Sequence, residues 1–141
     1  MTIIQIFINY LLIMLNPKID DWFKFKGWAP HNYQIELNNK LSNLNSALVI
    51  APTGGGKTLA GFIPPIIDII KEAPKGLHTL YISPLKALAN DIERNLEFPI
   101  KEMKLDITLE TRTGDTKQSK RNSQKHNPPN FLMTTPESFI L

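Results

Sequence analysis

The sequence contains no cysteine, which excludes disulfide bonds, zinc sites built on thiolates and catalysis by a thiol nucleophile. Its three histidines, His31, His78 and His126, lack the spacing of metal ligands, and we expect none of them to be catalytic. The net charge is only +3, and no segment is repeated. This composition fits a reducing compartment, and we expect a cytoplasmic protein. A chain of 141 residues forms one domain at most.

The amino terminus is apolar but short for a membrane span. The apolar runs from Ile3 to Leu15 are interrupted only by Gln5, Asn9 and Tyr10, whereas a span needs about 20 apolar residues. The segment also lacks the charged leader and small-residue cleavage site of a secretory signal. Three explanations stay open: translation begins at Met14, the segment is a buried or interfacial helix, or it is a membrane anchor. We treat residues 1–20 as an apolar leader of uncertain status and expect no stable membrane association.

A glycine-rich loop is the most informative feature that is present. Ala-Pro-Thr-Gly-Gly-Gly-Lys-Thr at 51–58 follows the apolar run 47–50 and leads into a segment with helical apolar spacing. Glycines let backbone amides approach phosphates, and the lysine can reach the β- and γ-phosphates while the following hydroxyl holds Mg²⁺. The candidate nucleotide-binding residues are Thr53, Gly54, Gly55, Gly56, Lys57 and Thr58. Lys57 and Thr58 are also the candidate catalytic residues, and Thr58 is the candidate metal ligand.

This loop alone does not identify a reaction, for two reasons. Ala51 stands where the strict consensus has glycine, and a glycine-rich turn that binds nothing is the alternative. Kinases, GTPases, motor ATPases and helicases all share such a loop.

Apolar runs alternate with helical patterns along the chain, which predicts a parallel α/β sheet. The predicted strands are 47–50, 77–82, 107–111 and 131–133, and the predicted helices are 57–72, 87–96 and 116–124. Pro64 and Pro65 should kink or interrupt the first of these helices. The helical spacing of Leu85, Leu88 and Ile92 predicts that they pack the next helix on the sheet.

Four further segments resemble, in the right order, the superfamily 2 DEAD/DEAH-type helicases. They are Gly-Trp-Ala-Pro-His-Asn-Tyr-Gln at 27–34, Ser-Pro-Leu-Lys-Ala-Leu-Ala-Asn-Asp at 83–91, Arg-Thr-Gly-Asp-Thr at 112–116 and Thr-Thr-Pro-Glu-Ser at 134–138. The first resembles the Q motif, which implies that Gln34 reads the adenine edge. The other three resemble motifs that touch one nucleic-acid strand. The matching residues are Pro84, Leu85, Lys86, Asn90, Arg112, Gly114, Asp115, Thr135, Pro136 and Glu137.

Each of these motifs has a plainer interpretation when it stands alone. Gln34 would be a surface glutamine, and Thr135-Pro136-Glu137 an ordinary helix start with a threonine cap and proline at the first helical position. Arg112, Lys117, Lys120, Arg121 and Lys125 form a basic stretch that suits a phosphate backbone or, equally, a solvated loop.

The combination of motifs resembles the Lhr-type branch, and within it the ligase-associated DEXH-box DNA helicases. Gly55 and His31-Asn32-Tyr33 depart from the pattern of that subgroup, which usually has serine and Phe-x-Phe there. The resemblance implies that residues 21–141 are the amino-terminal part of a RecA-like P-loop domain, the first ATP-binding domain of a helicase. It implies ATP and Mg²⁺ as cofactors, nucleic acid, more typically DNA than RNA, as partner, and a possible ligase or nuclease partner.

The family's Asp-Glu-x-His or Asp-Glu-x-Asp box does not occur in this sequence, and no second RecA-like domain follows. We therefore expect an incomplete domain that contributes ATP and nucleic-acid binding to a longer helicase and hydrolyses ATP negligibly alone. The alternatives are a P-loop phosphotransferase and a truncated, non-enzymatic remnant.

Overall fold

The computed structural model describes residues 15–41 and 46–140. The apolar leader up to residue 14, and with it the question of a start at Met14, lies outside the described residues. The elements are α1 (Pro17–Phe25), α2 (Asn32–Leu41), α3 (Lys57–Glu72), β1 (Thr79–Ile82), α4 (Lys86–Glu102), β2 (Leu109–Arg112), α5 (Gln118–His126), β3 (Phe131–Thr134) and α6 (Pro136–Ile140). The chain divides into two compact units, Met1–Ile67 and Asp68–Leu141.

The first described helix of the first unit is capped and amphipathic. The Asn16 side chain accepts a hydrogen bond from the backbone N–H of Lys18 at 3.0 Å, and a proline occupies the first helical position of α1. One face of α1 buries Ile19, Trp22 and Phe23. The Trp22 ring meets those of Phe23 and Trp28 edge-on, with centroids 5.3 and 5.7 Å apart. This aromatic cluster fixes the segment that leads into α2.

The predicted strand at 47–50 is not a strand in the structure. Leu48 and Ile50 are 84% and 86% exposed, and no described segment pairs with this run. A β-strand is defined by hydrogen bonds to a neighbouring strand, and apolar composition alone does not provide that neighbour. The prediction of a strand here is therefore wrong for the described structure.

Helix α3 begins at Lys57 and ends at Glu72, as predicted, but the prolines do not interrupt it. Pro64 and Pro65 both lie inside the continuous helix, so the predicted interruption is wrong, while the alternative of a kink stays a prediction. A proline inside a helix costs about 3 kcal/mol, whereas full burial of one isoleucine contributes about 1.5–3 kcal/mol. Ile63, Ile66 and Ile67 are each 1% exposed, so burial on both sides of the prolines outweighs the missing hydrogen bonds.

The second unit contains a parallel sheet with the strand order β1-β3-β2. Ile82, Thr134 and Arg112 are level with one another across the three strands. Phe131 and Met133 of the central strand are fully buried. The predicted alternation of strands and helices, and the parallel α/β class, are confirmed.

Helix α4 packs on β2 and β3. Its buried residues include Ala89, Ile92 and Leu96, so the prediction for Ile92 is confirmed. The prediction for Leu85 and Leu88 is wrong, because they are 60% and 44% exposed. Leu85 precedes the helix in an extended conformation, and Leu88 lies about 100° around the helix from Ala89.

The amino ends of all three strands are tied together by Asn130. Its Oδ1 accepts hydrogen bonds from the backbone N–H and the hydroxyl of Thr108, both at 3.0 Å, just before β2. Its Nδ2 donates to the carbonyls of Pro74 and Gly76, both at 3.3 Å, before β1. Because Asn130 itself precedes β3, one side chain links the starts of three strands that are far apart in sequence.

Candidate nucleotide and nucleic-acid sites

The glycine-rich loop has the backbone that a phosphate cradle needs. Gly54 and Gly56 both have φ of +77°, a left-handed conformation that other residues rarely adopt. A Cβ on Gly55 would lie 3.0 Å from the carbonyl oxygen of Pro52, so a side chain there would crowd the turn. The loop delivers Lys57 and Thr58, both exposed, to the first turn of α3, where backbone amides lack helical partners.

The Lys57 ammonium folds back on the loop. Its Nζ donates to the carbonyls of Ala51 and Pro52 at 2.7 and 2.8 Å. A lysine held by two neutral carbonyls remains a cation that an anion can attract, and a phosphate at the helix start would compete for it. The loop, the lysine and the hydroxyl of Thr58 thus fit a Mg²⁺-bound polyphosphate.

The first turn of α2 is hydrogen-bonded to this loop. Gln34 is 2% exposed, its Oε1 accepts from the backbone N–H of His31 at 2.8 Å, and its Nε2 donates to the carbonyl of Gly56 at 3.2 Å. The Tyr33 hydroxyl donates to the carbonyl of Gly55, and the Tyr33 ring stacks on His31 with centroids 5.5 Å apart. The structure brings Gln34 to the phosphate loop, as its predicted role requires, while both ends of its amide are engaged within the chain.

Tyr33 was not among the predicted site residues. Its position directly before Gln34 is the only signal in the sequence, because nothing there indicates which carbonyl its hydroxyl reaches.

In the second unit, the turns after the three strands meet at one edge of the sheet. Since parallel strands end at the same edge, the level register of β1, β3 and β2 brings together turns that are up to 50 residues apart. Lys86, after β1, places its Nζ 2.9 Å from both carboxylate oxygens of Asp115, after β2. We call the turns 83–86, 113–116 and 135–137 the three-turn edge.

The turn after β2 is held by its own side chains. Thr116 Oγ1 accepts from the backbone N–H of Thr113 at 2.8 Å. Arg121 Nε donates to the carbonyl of Thr116 at 3.1 Å, and its Nη2 donates to the carbonyl of Thr113 at 2.9 Å. Arg121, one of the basic residues of the predicted phosphate-binding stretch, is therefore used to shape the turn that presents Gly114 and Asp115.

The turn after β3 starts α6 as the sequence predicts. Thr135 is buried, its carbonyl accepts from the N–H groups of Ser138 and Phe139 at 3.0 Å, and Pro136 is the first residue of the helix. The pKa of the exposed Glu137 is lowered by hydrogen bonds to its own backbone N–H and to Thr135, and further by the charge of Lys86. Glu137 is thus an anion near Lys86 at neutral pH.

The remaining predicted contact residues lie along the same edge. Pro84 and Leu85 are exposed in the bend before α4, and Asn90 is exposed one helical turn after Lys86. Arg112 ends β2, where its carbonyl accepts from the Thr134 hydroxyl at 2.7 Å, and its buried Nε lacks a hydrogen-bond partner in the described structure. All three motifs from the second unit therefore reach one surface, which carries both cations and carboxylates.

Within the described ranges, no group of three or more His, Asp or Glu side chains is arranged to hold a metal ion. None of the helices in those ranges is both long enough and apolar enough to cross a membrane.

A parallel α/β sheet together with a glycine-rich loop that opens a helix defines the class of P-loop α/β proteins. The chain belongs to the DEAD/DEAH box helicase family, whose model matches residues 31–141. The predicted family is therefore confirmed, and neither the phosphotransferase nor the remnant alternative is favoured.

The relatives include helicases of the predicted Lhr type. The chain is 42% identical over 134 residues to the "Lhr helicase/ probable uracil glycosylase" of Mycolicibacterium smegmatis, with 86% of this chain and 9% of that protein covered. It is 37% identical over 146 residues to the "ATP-dependent helicase Lhr-Core" of Methanocaldococcus jannaschii, covering 91% of this chain and 17% of that one. The more specific ligase-associated subgroup stays a prediction.

A solved relative supports the same assignment. The helicase Lhr of Mycobacterium smegmatis, determined with ssDNA and AMP-PNP, has a TM-score of 0.79 and 41% identity to this chain. The match covers 87% of this chain and 17% of the solved one. The chain thus corresponds to a helicase domain and spans a small part of the length of these relatives.

Proposed function

We propose that this chain is the ATP-binding and nucleic-acid-contacting part of an ATP-dependent helicase of the cytoplasm. The observation that carries the proposal is the three-turn edge, where Lys86 lies 2.9 Å from Asp115 and acts electrostatically on Glu137. Three segments that resemble motifs contacting one nucleic-acid strand thereby form one surface. The solved Lhr relative was determined with ssDNA and AMP-PNP, which favours single-stranded DNA and ATP as ligands here.

At the nucleotide, Lys57 releases the carbonyls of Ala51 and Pro52 and turns to the phosphates. The backbone amides of Gly54, Gly55 and Gly56, with Thr53, would form the cradle, and the Thr58 hydroxyl would hold Mg²⁺, which would supply positive charge to neutralise the phosphates. Gln34 gives up its hydrogen bond to the Gly56 carbonyl and forms hydrogen bonds to the adenine edge instead, because its amide offers both a donor and an acceptor.

At the three-turn edge, backbone amides and Lys86 contact phosphates of one strand, with Pro84, Leu85 and Asn90 on one side. Arg112, Gly114 and Asp115 form the second turn, and Thr135, Pro136 and Glu137 the third. Asp115 and Glu137 are anions, so their part is to orient Lys86 and the turns, since a carboxylate repels a phosphate.

Hydrolysis and strand separation belong to the longer protein. The sequence has no Asp-Glu pair to position the attacking water, so this chain alone should release almost no phosphate from ATP. A ligase or nuclease partner is proposed only from the subgroup resemblance.

Nucleotide binding is tested by the fluorescence of a labelled ATP analogue with Mg²⁺. Lys57→Ala should weaken binding about 10-fold or more, because a charge-assisted hydrogen bond contributes about 1.5–3 kcal/mol. Lys71→Ala, at the other end of α3, is the matched control and should bind as the wild type does. Equal affinities of the two variants would contradict the nucleotide site.

Nucleic-acid binding is tested by the anisotropy of a labelled single-stranded DNA over a series of salt concentrations. Lys86→Ala should weaken binding and reduce the slope of log K against log salt by about 1. Lys101→Ala removes another exposed, ion-paired lysine of α4, and it should leave the affinity and the salt slope unchanged. DNA-stimulated phosphate release by the chain alone, lost in Lys57→Ala, would overturn the claim that it is inactive by itself.

A further inference from the structure

A polar cleft of about 350 Å³ opens beside the three-turn edge, among α4, β2 and the start of α5. Asn90 and Glu93 of α4 line one side. Asp115, Lys117, Ser119 and Lys120 line much of the other. Its volume is at the lower end of the range for small-ligand sites, about 300–1,000 Å³.

The cleft is built from the same helix face that forms the edge. Lys86, Asn90 and Glu93 are four and three residues apart on α4, which places them along one side of the helix. Lys86 binds Asp115 at 2.9 Å, and Glu93 Oε2 accepts from the Thr111 hydroxyl at 2.5 Å. These two contacts brace the cleft at both ends, and Asn90 lies between them.

The cleft presents hydrogen-bonding groups that the protein does not use. Within the described residues, the side chains of Asn90, Lys117, Ser119 and Lys120 make no hydrogen bond or ion pair to other protein groups. Glu93 uses only Oε2, toward Thr111. An amide, a carboxylate oxygen and a hydroxyl therefore face the same space.

This set of groups matches a nucleobase. An asparagine amide both donates to and accepts from a base edge, and a carboxylate accepts from an exocyclic amine. The ammonium groups of Lys117 and Lys120 can neutralise the phosphates that flank the base. No aromatic side chain lines the cleft, so recognition would rest on hydrogen bonds to the base edge.

We propose that this cleft is a subsite that receives one unstacked base of the single strand bound along the three-turn edge. The proposal rests on the proposed nucleic-acid function and deepens it, because it adds a base contact to a surface otherwise proposed to hold the backbone. Ser119 and Glu93 join the interface, although no pattern in the sequence identified them, whereas Lys117 belongs to the basic stretch described above.

The experiment compares a labelled single-stranded DNA with a series of copies that each carry one abasic position. For the wild-type chain, one position should matter: removal of its base should weaken binding at least about fivefold, the lower limit for loss of a good base contact. Ser119→Trp should fill the cleft without changing any charge, and Ser123→Trp, one turn further along α5, is the matched control.

Ser119→Trp should bind the intact strand as weakly as the wild type binds the critical abasic strand, with an unchanged salt slope. Ser123→Trp should behave as the wild type. Circular dichroism of each variant verifies the fold, and Asn90→Ala provides a second, smaller change that should also remove the position dependence. The subsite would be overturned if Ser119→Trp weakened binding of intact and abasic strands equally. It would also be overturned if no abasic position weakened binding to the wild type.

The two proposals fail differently. If Lys86→Ala lowers the salt slope but no abasic position matters, the three-turn edge stands and the base subsite is wrong. If the wild type binds no DNA at low salt, both are wrong. If free deoxynucleoside monophosphates bind in the cleft with the same Ser119→Trp sensitivity while abasic positions do not matter, the cleft recognises free nucleotides and the strand proposal is overturned.

Discussion

Replacement of Asn130 by alanine should destabilise the second unit more than any other exposed or half-buried polar change there. The variant loses two hydrogen bonds to Oδ1 at 3.0 Å and two from Nδ2 at 3.3 Å. A net contribution of about 1 kcal/mol for each of the shorter bonds, and less for the longer pair, gives a loss of about 2–3 kcal/mol. For a chain of this size that corresponds to a fall in Tm of about 10 °C.

The assay is urea and thermal unfolding followed by far-ultraviolet circular dichroism. Asn127→Ala, three residues earlier and exposed, is the matched control and should change stability by less than about 0.5 kcal/mol. Thr108→Val should also destabilise, and the double variant should lose less than the sum of the two single losses, because both remove the same contacts. Wild-type stability of Asn130→Ala, or full additivity with Thr108→Val, would refute this account of the strand starts.

Three further predictions concern other parts of the molecule. Burial raises the pKa of Asp20 above its usual 3.8, so the ionised carboxylate lowers the free energy of unfolding once pH rises through the raised pKa. Asp20→Asn should therefore raise Tm at pH 7 by a few degrees and lose that advantage below pH 3.8. Gly54→Ala should cost about 1–2 kcal/mol of stability, because its backbone is left-handed. Gly56→Ala should lose more nucleotide affinity than Gly54→Ala, because its Cβ would also lie 3.0 Å from the buried amide of Gln34, and equal titrations of a labelled ATP analogue by the two variants would contradict this. Asp115→Asn should weaken binding of single-stranded DNA up to about fivefold at low salt, because Lys86 loses the carboxylate that orients it, and the effect should shrink at high salt. Stronger binding would show that the carboxylate repels DNA more than it orients the site.

The sequence by itself determined the local structure wherever a short pattern has a strong physical cause. The glycines and lysine at 54–57 predicted the phosphate loop and the start of α3, because left-handed turns and exposed helix amides are local properties. Thr135 and Pro136 predicted the start of α6 for the same reason. Alternating apolar runs predicted the parallel class and the three strands of the sheet within two residues at each end.

The tertiary structure decided everything that depends on neighbours. Leu48 and Ile50 have strand-like composition but are exposed, since a strand requires a partner. Pro64 and Pro65 remain helical because the isoleucines around them are buried. The strand order β1-β3-β2, which no local pattern encodes, brings Lys86 to Asp115 across 29 residues of chain and opens the cleft beside them. The resemblance to helicase motifs predicted the residues of the site, and only the packing of the sheet decided which of them meet.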